Sequence, residues 1–281
     1  MTTIPEAKSS LKRILLENNG DTTQPAVEDA IKTLQILSSE KRGEAEWNVT
    51  QDKHFHTGRW RTITTPPFPG RLPDDGGKAK YTLGRMSFNM FKPTKAVCAI
   101  DEIVNVVEAL DDDSSADQNG SSWEQSYNSE VLMEISVSRT KEGSTTEETI
   151  VLPAKLISYG VCTPTSPTRI GVTFQSGTLK PNFDMTLKEN EIRAKAWKET
   201  FEGAIAKEAE AQSILSKLAT IASNVLMKLM MGLDPPVDCM DFTQTYTIAR
   251  PIAGHLDILY MDEDLRISKG NRGTIVVVER I

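Results

Sequence analysis

The sequence predicts a mainly β protein, a sandwich or a barrel, with helices before the first strand and again before the last strands. From residue 47 onward, short segments rich in β-branched and aromatic residues alternate with turn-forming clusters, which is the pattern of such folds. Residues 7–40 instead repeat apolar residues every three or four positions, which is a helical period. A later stretch, 188–231, contains no proline and returns to the helical period.

The composition is that of an ordinary globular protein, and it narrows the classes of function. The 281 residues are 38% hydrophobic and carry a net charge of −7, which suits one large domain or two modest ones. Because phosphate contacts need Lys and Arg, general nucleic-acid binders are more often basic, and we expect no nucleic-acid partner. Cys98, Cys162 and Cys239 are too widely spaced to indicate a disulfide framework or a zinc site.

The N-terminal segment, 1–46, is predicted to be helical and to precede a β domain at 47–281. Its apolar residues fall into two stripes at helical spacing, separated by the polar residues 18–21. The stripes consist of Leu11, Ile14 and Leu15, and of Val27, Ala30, Ile31, Leu34 and Leu37. We interpret the segment as a helical hairpin that packs its apolar face on the main domain.

The predicted strands extend from residue 58 almost to the end of the chain. They are 58–65, 80–91, 95–110, 130–140, 148–161 and 169–177, followed after the helical stretch by 242–251, 254–262, 265–268 and 273–280. Between the last two, "KGNRG" at 269–273 has the glycines and the asparagine that a tight hairpin turn favours. The acidic segment 111–128 is expected to be a surface loop.

The helical insertion, 188–232, is long for a single globular helix, and Gly203 indicates a break within it. Its last part, "LMKLMMGL" at 226–233, is rich in methionine, which suits adaptable apolar surfaces. A helix lying on a lipid surface also needs flanking basic residues, of which Lys217 and Lys228 are present. The pattern leaves open whether the insertion packs in the core, covers the domain, or contacts a membrane or a larger complex.

The acids Asp262, Glu263 and Asp264 raise the question of acid–base catalysis. That chemistry needs carboxylates that converge on a substrate and have separated pKa values. Adjacent residues of a strand face opposite sides, so only the first and third acids share a face. We favour a polar strand end, in which these carboxylates cap neighbouring backbone groups and pair with Arg266 or Arg272.

The pair His54 and His56 has the alternate spacing that places two imidazoles on one face of a strand, where zinc can bind. His255 is the only other histidine in the sequence, so a third ligand is not evident. No Gly-x-Ser-x-Gly nucleophile motif is present either. The residues therefore predict no metal site, no cofactor and no catalytic residues.

Two stretches resemble one known family. "LYMDEDLRISKGNRGTIVVVER" at 259–280 resembles the closing motif of the plastid lipid-associated proteins, also called fibrillins or plastoglobulins. "TGRWRTITTPPF" at 57–68, following the helical N-terminal segment, is similar to the other signature of that family. The order and spacing of the two motifs fit from about residue 11 to residue 281.

The resemblance implies a lipocalin-like antiparallel β-barrel. In such a barrel Trp60 closes one end, and an Arg from a late strand lies across its ring in a cation–π contact; the expected Arg is Arg266. The residues expected to close the barrel are Gly58, Trp60, Asp262, Asp264, Arg266, Gly270 and Gly273. The residues expected to line a pocket, chosen by strand alternation, are Trp60, Met86, Phe88, Met90, Ile135 and Val137.

The family resemblance further implies a protein that binds or carries an apolar lipid or isoprenoid-like molecule and is not an enzyme. It places the protein in the chloroplast, at thylakoids or plastoglobules. The first twenty residues have neither the apolar core of a signal peptide nor the composition of a transit peptide, which keeps a cytoplasmic location as the alternative. The alternative function is a structural or interaction protein that docks to a membrane or a photosynthetic complex through 188–232.

Overall fold

The computed structural model describes residues 2–42, 56–73, 77–110, 123–140, 147–211, 237–238, 241–251 and 253–281. The helices are α1 Ile4–Glu17, α2 Pro25–Arg42, α3 Leu83–Met86, α4 Glu191–Phe201 and α5 Ala204–Ala211. The strands are β1 Gly58–Thr62, β2 Lys80–Thr82, β3 Val97–Ala109, β4 Gln125–Thr140, β5 Glu147–Ser166, β6 Arg169–Pro181, β7 Val237–Asp238, β8 Gln244–Thr247, β9 Ala253–Met261, β10 Leu265–Gly270 and β11 Ile275–Arg280.

Eight of these strands form a closed antiparallel barrel. Their order is β5-β4-β3-β1-β11-β10-β9-β6, and β6 pairs again with β5 to close the circle. The remaining strands extend the barrel: β2 pairs with β3, β8 with β6, and β7 with β8. The predicted mainly β fold with a lipocalin-like barrel, N-terminal helices and a helix before the last strands is confirmed.

The hairpin between β10 and β11 sets the position of the last strand. Gly273 has a φ of 83°, which a glycine adopts without a steric penalty, and its N–H donates to the carbonyl of Gly270 at 2.8 Å. Strand β11 then pairs with β1, so that Arg280 lies opposite Trp60. The hairpin that the turn residues predict is present, and the strand after it pairs with the first strand of the barrel.

The barrel has two unlike ends because its strands differ in length. Strands β3 to β6 have 13, 16, 20 and 13 residues, whereas β1, β10 and β11 have 5, 6 and 6. The long strands therefore extend past the short ones on one side. We call the side where β1 begins the Trp60 end, and the extended side, on which α4 packs, the Trp197 end.

The N-terminal helices pack on the outside of β9, β10 and β11. Their buried residues are Ala7, Leu11, Leu15, Val27, Ile31 and Leu34, and they meet Tyr260, Leu265, Ile267 and Val277. Each fully buried Leu or Ile contributes about 1.5–3 kcal/mol relative to an exposed one. A Thr3–Glu6 capping box begins α1. The two helices lie where the sequence predicts them.

Two predicted segments differ from the structure, and one predicted break is confirmed. Only 80–82 of the predicted strand 80–91 is a strand, because Thr82 caps a helical turn and Ser87 Oγ donates to the Leu83 carbonyl at 2.7 Å. Strand β4 begins at Gln125, inside the predicted loop 111–128, of which 111–122 lies outside the described residues. The predicted break at Gly203 is present, with a φ of 64° between α4 and α5. Residues 212–232 of the insertion lie outside the described residues.

Candidate functional site

The Trp60 end is organised around a fully buried tryptophan. The Trp60 indole N–H donates to the carbonyl of His56 at 2.9 Å. The guanidinium carbon of Arg266 lies 5.1 Å from the ring centroid, and that of Arg280 lies 4.2 Å from it. Both distances are within the range of a cation–π contact. The sequence singled out Arg266 and missed Arg280, although both lie on late strands.

Arg280 ties the end of the chain to the beginning of β1. Its side chain donates to the carbonyl oxygens of Thr57 and Glu263. Gly58 has a φ of 128°, and a Cβ on it would lie 2.6 Å from Arg280 Nη1. Glycine is therefore favoured at this position by its backbone conformation, and a Cβ there would also require the tip of the Arg280 side chain to shift. Gly270, also expected to help close the barrel, is not at positive φ.

Arg266 lies on the inner side of the barrel wall. Its neighbours Leu265 and Ile267 pack against the N-terminal helices outside, so alternation directs Arg266 inward. The residue is only 1% exposed. Its Nη2 lies 3.4 Å from the Tyr127 hydroxyl, while Nε and Nη1 have no hydrogen-bond partner in the part of the chain that the structure describes.

Three further side chains around Trp60 have buried polar atoms without a hydrogen-bond partner among the described residues. They are both ring nitrogens of His56, the indole nitrogen of Trp123 and the Oε1 oxygen of Gln125. The His56 and Trp123 rings are 5.4 Å apart. Burial, and then the charges of Arg266 and Arg280, lower the pKa of His56 to about 3, so this imidazole is neutral at ordinary pH.

An apolar wall surrounds this polar group on the inside of the barrel. Its buried members include Val107, Tyr127, Cys162, Ile170, Val172, Ile258, Met261 and Val278. Phe174, Leu256 and Val276 belong to the same wall but are only partly buried. Burial raises the pKa of the Cys162 thiol to about 12. This cysteine is therefore a neutral apolar group, not a nucleophile.

The residues predicted to line a pocket are divided between the two ends. Trp60 lies at its own end, whereas Met86, Ile135 and Val137 belong to the cluster at the Trp197 end. Met90 is buried. Phe88 is 71% exposed on a turn with a φ of 51°. The expectation that it faces the barrel interior is wrong, because the chain leaves the strand at residue 83 and alternation no longer applies.

The Trp197 end is closed by α4. Trp197 is fully buried, stacks on Phe201 at a centroid distance of 4.2 Å, and donates its indole N–H to the Phe242 carbonyl at 2.9 Å. It packs with the inner face of the extended strands, including Leu152 and Ile135. The first part of the helical insertion is thus a structural cover for this end of the sheet.

The acid cluster joins α1 to the end of β9. Asp262 accepts from Lys8 at 2.8 Å and from the Tyr260 hydroxyl, and its Oδ1 accepts from the backbone N–H of Leu265 at 2.9 Å. Asp264 also accepts from Lys8. The cation in this cluster is Lys8 from the N-terminal helix; the expected pairing with Arg266 is wrong, because that side chain points into the barrel.

The ionisation of Asp262 reflects these contacts. Partial burial opposes ionisation, but the hydrogen bonds from Lys8 and Tyr260 outweigh it and lower the pKa of Asp262 to about 2. A carboxylate held in this way stays ionised in its structural ion pair, and it is a poor proton donor or acceptor near neutral pH. Of the predicted histidine pair, His54 lies outside the described residues, and the described residues contain no cluster of metal-ligating side chains.

The closed eight-stranded barrel with Trp60 at one end defines a lipocalin-like protein. Residues 152–279 match the PAP_fibrillin family model, and this match supports placing the chain in the plastid lipid-associated protein, or fibrillin, family. The resemblance predicted from the sequence is confirmed. The matched part includes residues 259–279 of the closing motif. It begins at residue 152, so strand β1 with Gly58 and Trp60 lies outside it.

Searches of the curated proteins and of the solved structures found no match to this chain. Within the described residues, none of the helices has the length and apolar character needed to cross a membrane. The family itself is generally composed of non-enzymatic, lipid-associated proteins and implies an association with plastids.

Proposed function

We propose that this protein binds or carries an apolar lipid or isoprenoid-like molecule inside its barrel, without catalysis, at thylakoid or plastoglobule membranes. The observation that carries the proposal is the apolar inner wall at the Trp60 end. Phe174, Leu256 and Val276 belong to this wall and yet remain partly exposed. Covering such apolar surface gains about 25 cal/mol per Å², which an apolar ligand provides.

The proposed absence of catalysis is supported by the titratable groups at the same end. With a pKa of about 3, His56 is a poor base near neutral pH, and the Cys162 thiol, with a pKa of about 12, is not ionised there. General acid–base groups work best when their pKa values lie near the operating pH. The inner wall therefore suits holding a molecule better than reacting with it.

A second function is supported by the surface of the helical insertion. Leu187 and Ile192 are 46% and 67% exposed at its beginning. Lys188, Lys195 and Lys198 line the same surface as Leu187, together with Glu191, Glu199 and Glu202. Exposed apolar residues flanked by lysines suit a surface that touches a membrane or a larger complex. In this alternative the barrel is a scaffold and 188–232 makes the contact.

Native mass spectrometry of the protein purified from its source, followed by organic extraction, tests the two functions. The first predicts a stoichiometric apolar molecule that leaves with the solvent. If the barrel is empty and the wild type is found in a discrete heavier complex that Ile192→Glu no longer forms, the second function is supported and the first is contradicted.

A binding assay on the purified protein tests the site. We expect Phe174→Ser to weaken binding of a fluorescent apolar probe by about tenfold, because it removes a large side chain from the proposed wall. Val151→Ser is the matched control, since Val151 is 40% exposed on the extended part of β5. Equal affinities of both variants and the wild type would place the probe elsewhere.

A further inference from the structure

The buried polar atoms at the Trp60 end are mainly hydrogen-bond donors. Arg266 presents N–H groups on Nε and Nη1, Trp123 presents its indole N–H, and a neutral His56 presents one ring N–H. The acceptors in the group are Gln125 Oε1 and the other ring nitrogen of His56. From this arrangement we propose that the barrel ligand carries an anionic carboxylate head that Arg266 receives, a refinement that rests on the proposed function.

The strongest argument is the charge of Arg266. A guanidinium keeps its charge at any ordinary pH, and burying a charge without a partner is strongly unfavourable. Among the described residues no carboxylate lies within salt-bridge distance of Arg266, although such pairs are present elsewhere in the chain. The rings of Trp60 and Tyr127, at 5.1 and 5.8 Å, offset only part of the penalty.

The surroundings of Arg266 also differ from those of the neighbouring Arg280, which has acceptors as partners. Arg280 donates to the carbonyl oxygens of Thr57 and Glu263, and the carboxylates of Glu263 and Asp264 act on its charge. Arg280 therefore has acceptors and carboxylates of the protein as partners, although burial and the nearby charge of Arg266 still lower its pKa. That leaves Arg266 as one positive charge surrounded by neutral donors, which a monoanionic carboxylate matches better than a dianionic phosphate.

The apolar wall indicates where the apolar part of the ligand lies. Phe174 lies 6.2 Å from the Tyr127 ring, whose hydroxyl contacts Arg266. Leu256 and Val276 belong to the same partly buried set. An amphipathic molecule with its carboxylate on Arg266 therefore has apolar side chains along its chain. This chemistry is that of a long-chain fatty acid or an isoprenoid acid.

Two ligands of equal chain length test the proposal on the full wild-type chain. Hexadecanoate and hexadecanol share the apolar tail, and only the first carries the charge. By titration calorimetry below the aggregation concentration of each ligand, we expect hexadecanoate to bind at least about tenfold more tightly, because hydrogen bonds to charged groups are the stronger ones. Equal affinities would overturn the carboxylate assignment while leaving the apolar site intact; no binding of either would overturn the proposed function.

The variant Arg266→Met sharpens the test, with Arg272→Gln as a control that removes one positive charge from an exposed turn. We expect Arg266→Met to lose the preference for hexadecanoate and to bind hexadecanol as the wild type does. The ligand-free variant should also unfold at an equal or higher urea concentration, since an unmatched buried charge has been removed. A lower urea midpoint together with an unchanged ligand preference would make Arg266 a structural partner of Trp60 and overturn the proposal.

Discussion

The two ends of the barrel differ in how their buried polar groups are paired. At the Trp197 end, the Trp197 indole donates to the Phe242 carbonyl, and the Tyr81 hydroxyl donates to the Pro66 carbonyl, each at 2.9 Å. At the Trp60 end, polar atoms of Arg266, His56 and Trp123 are equally buried but have no such partner among the described residues.

This difference agrees with the proposal that one end of the barrel is structural and the other binds the ligand. Buried polar groups are nearly always hydrogen-bonded, and each exception calls for an explanation. At the Trp197 end, which α4 covers, Trp197 and Tyr81 obey the rule. The Trp60 end departs from it beside a partly exposed apolar wall, which is the combination that a ligand pocket with a few placed polar groups requires.

The largest expected effects come from the two tryptophans. Trp60→Ala and Trp197→Ala should each lower the free energy of unfolding by about 3–5 kcal/mol, because both side chains are fully buried. Urea denaturation measures both. The comparison predicts that a milder change, Trp197→Phe, leaves ligand affinity unchanged, whereas Trp60→Phe weakens it. A urea midpoint that Trp60→Ala does not move would remove the barrel-closing role of this residue.

A smaller effect is expected at the first residue of β1. Gly58→Ala should destabilise the protein by about 2 kcal/mol, since L residues are strained at a φ of 128° and the new Cβ would crowd Arg280. Gly254→Ala in β9 is the matched control: the nearest atom to its Cβ would be 3.6 Å away, and we expect a change within about 0.5 kcal/mol. Thermal unfolding of both variants decides, and equal losses would contradict the role of Gly58.

The Asp262–Lys8 contact predicts a specific pH dependence. The pKa of Asp262 is lowered from 3.8 to about 2, so its contribution to stability is present above pH 4 and is lost as the pH falls toward 2. Because the carboxylate is partly solvent-screened, we expect about 1 kcal/mol. In Asp262→Asn this loss between pH 4 and 2 should disappear from urea midpoints. A wild-type profile with the same slope as the variant would show that the contact does not hold α1.

Much of the fold could be predicted because its signals are local. The alternating segments, the hairpin ending at Gly273 and the break at Gly203 each depend on residues within a few positions of one another. The strand prediction was wrong for most of the stretch 80–91: its residues suit a strand, but Thr82 and Ser87 stabilise a helical turn instead. Competing side-chain hydrogen bonds of this kind are not visible in hydrophobic periodicity.

The site was less predictable because its contacts are distant in sequence. Lys8 meets Asp262 across 254 positions. Alternation in a single strand does not tell which of its two faces points into a barrel, and so does not show that Arg266 lies inside. Arg266 does so because the N-terminal helices cover the other face of β10. His56 was considered as a zinc ligand, yet its importance lies in its burial beside Trp60, which follows only from the closed barrel.

The smallest expected effect concerns Phe88, the residue whose predicted position was wrong. It is 71% exposed at a φ of 51°, a conformation that asparagine adopts more readily than phenylalanine. Phe88→Asn should therefore change stability by no more than about 0.5 kcal/mol, with a slight gain as the strain is relieved. Ile135→Asn, at a fully buried position of the Trp197 end, is the contrasting variant and should prevent stable folding. The turn after β2 already packs against the Trp197 end through Leu83, Met86 and Phe91. If Phe88→Asn instead lowered the urea midpoint strongly, the Phe88 side chain itself would have to contribute to that packing.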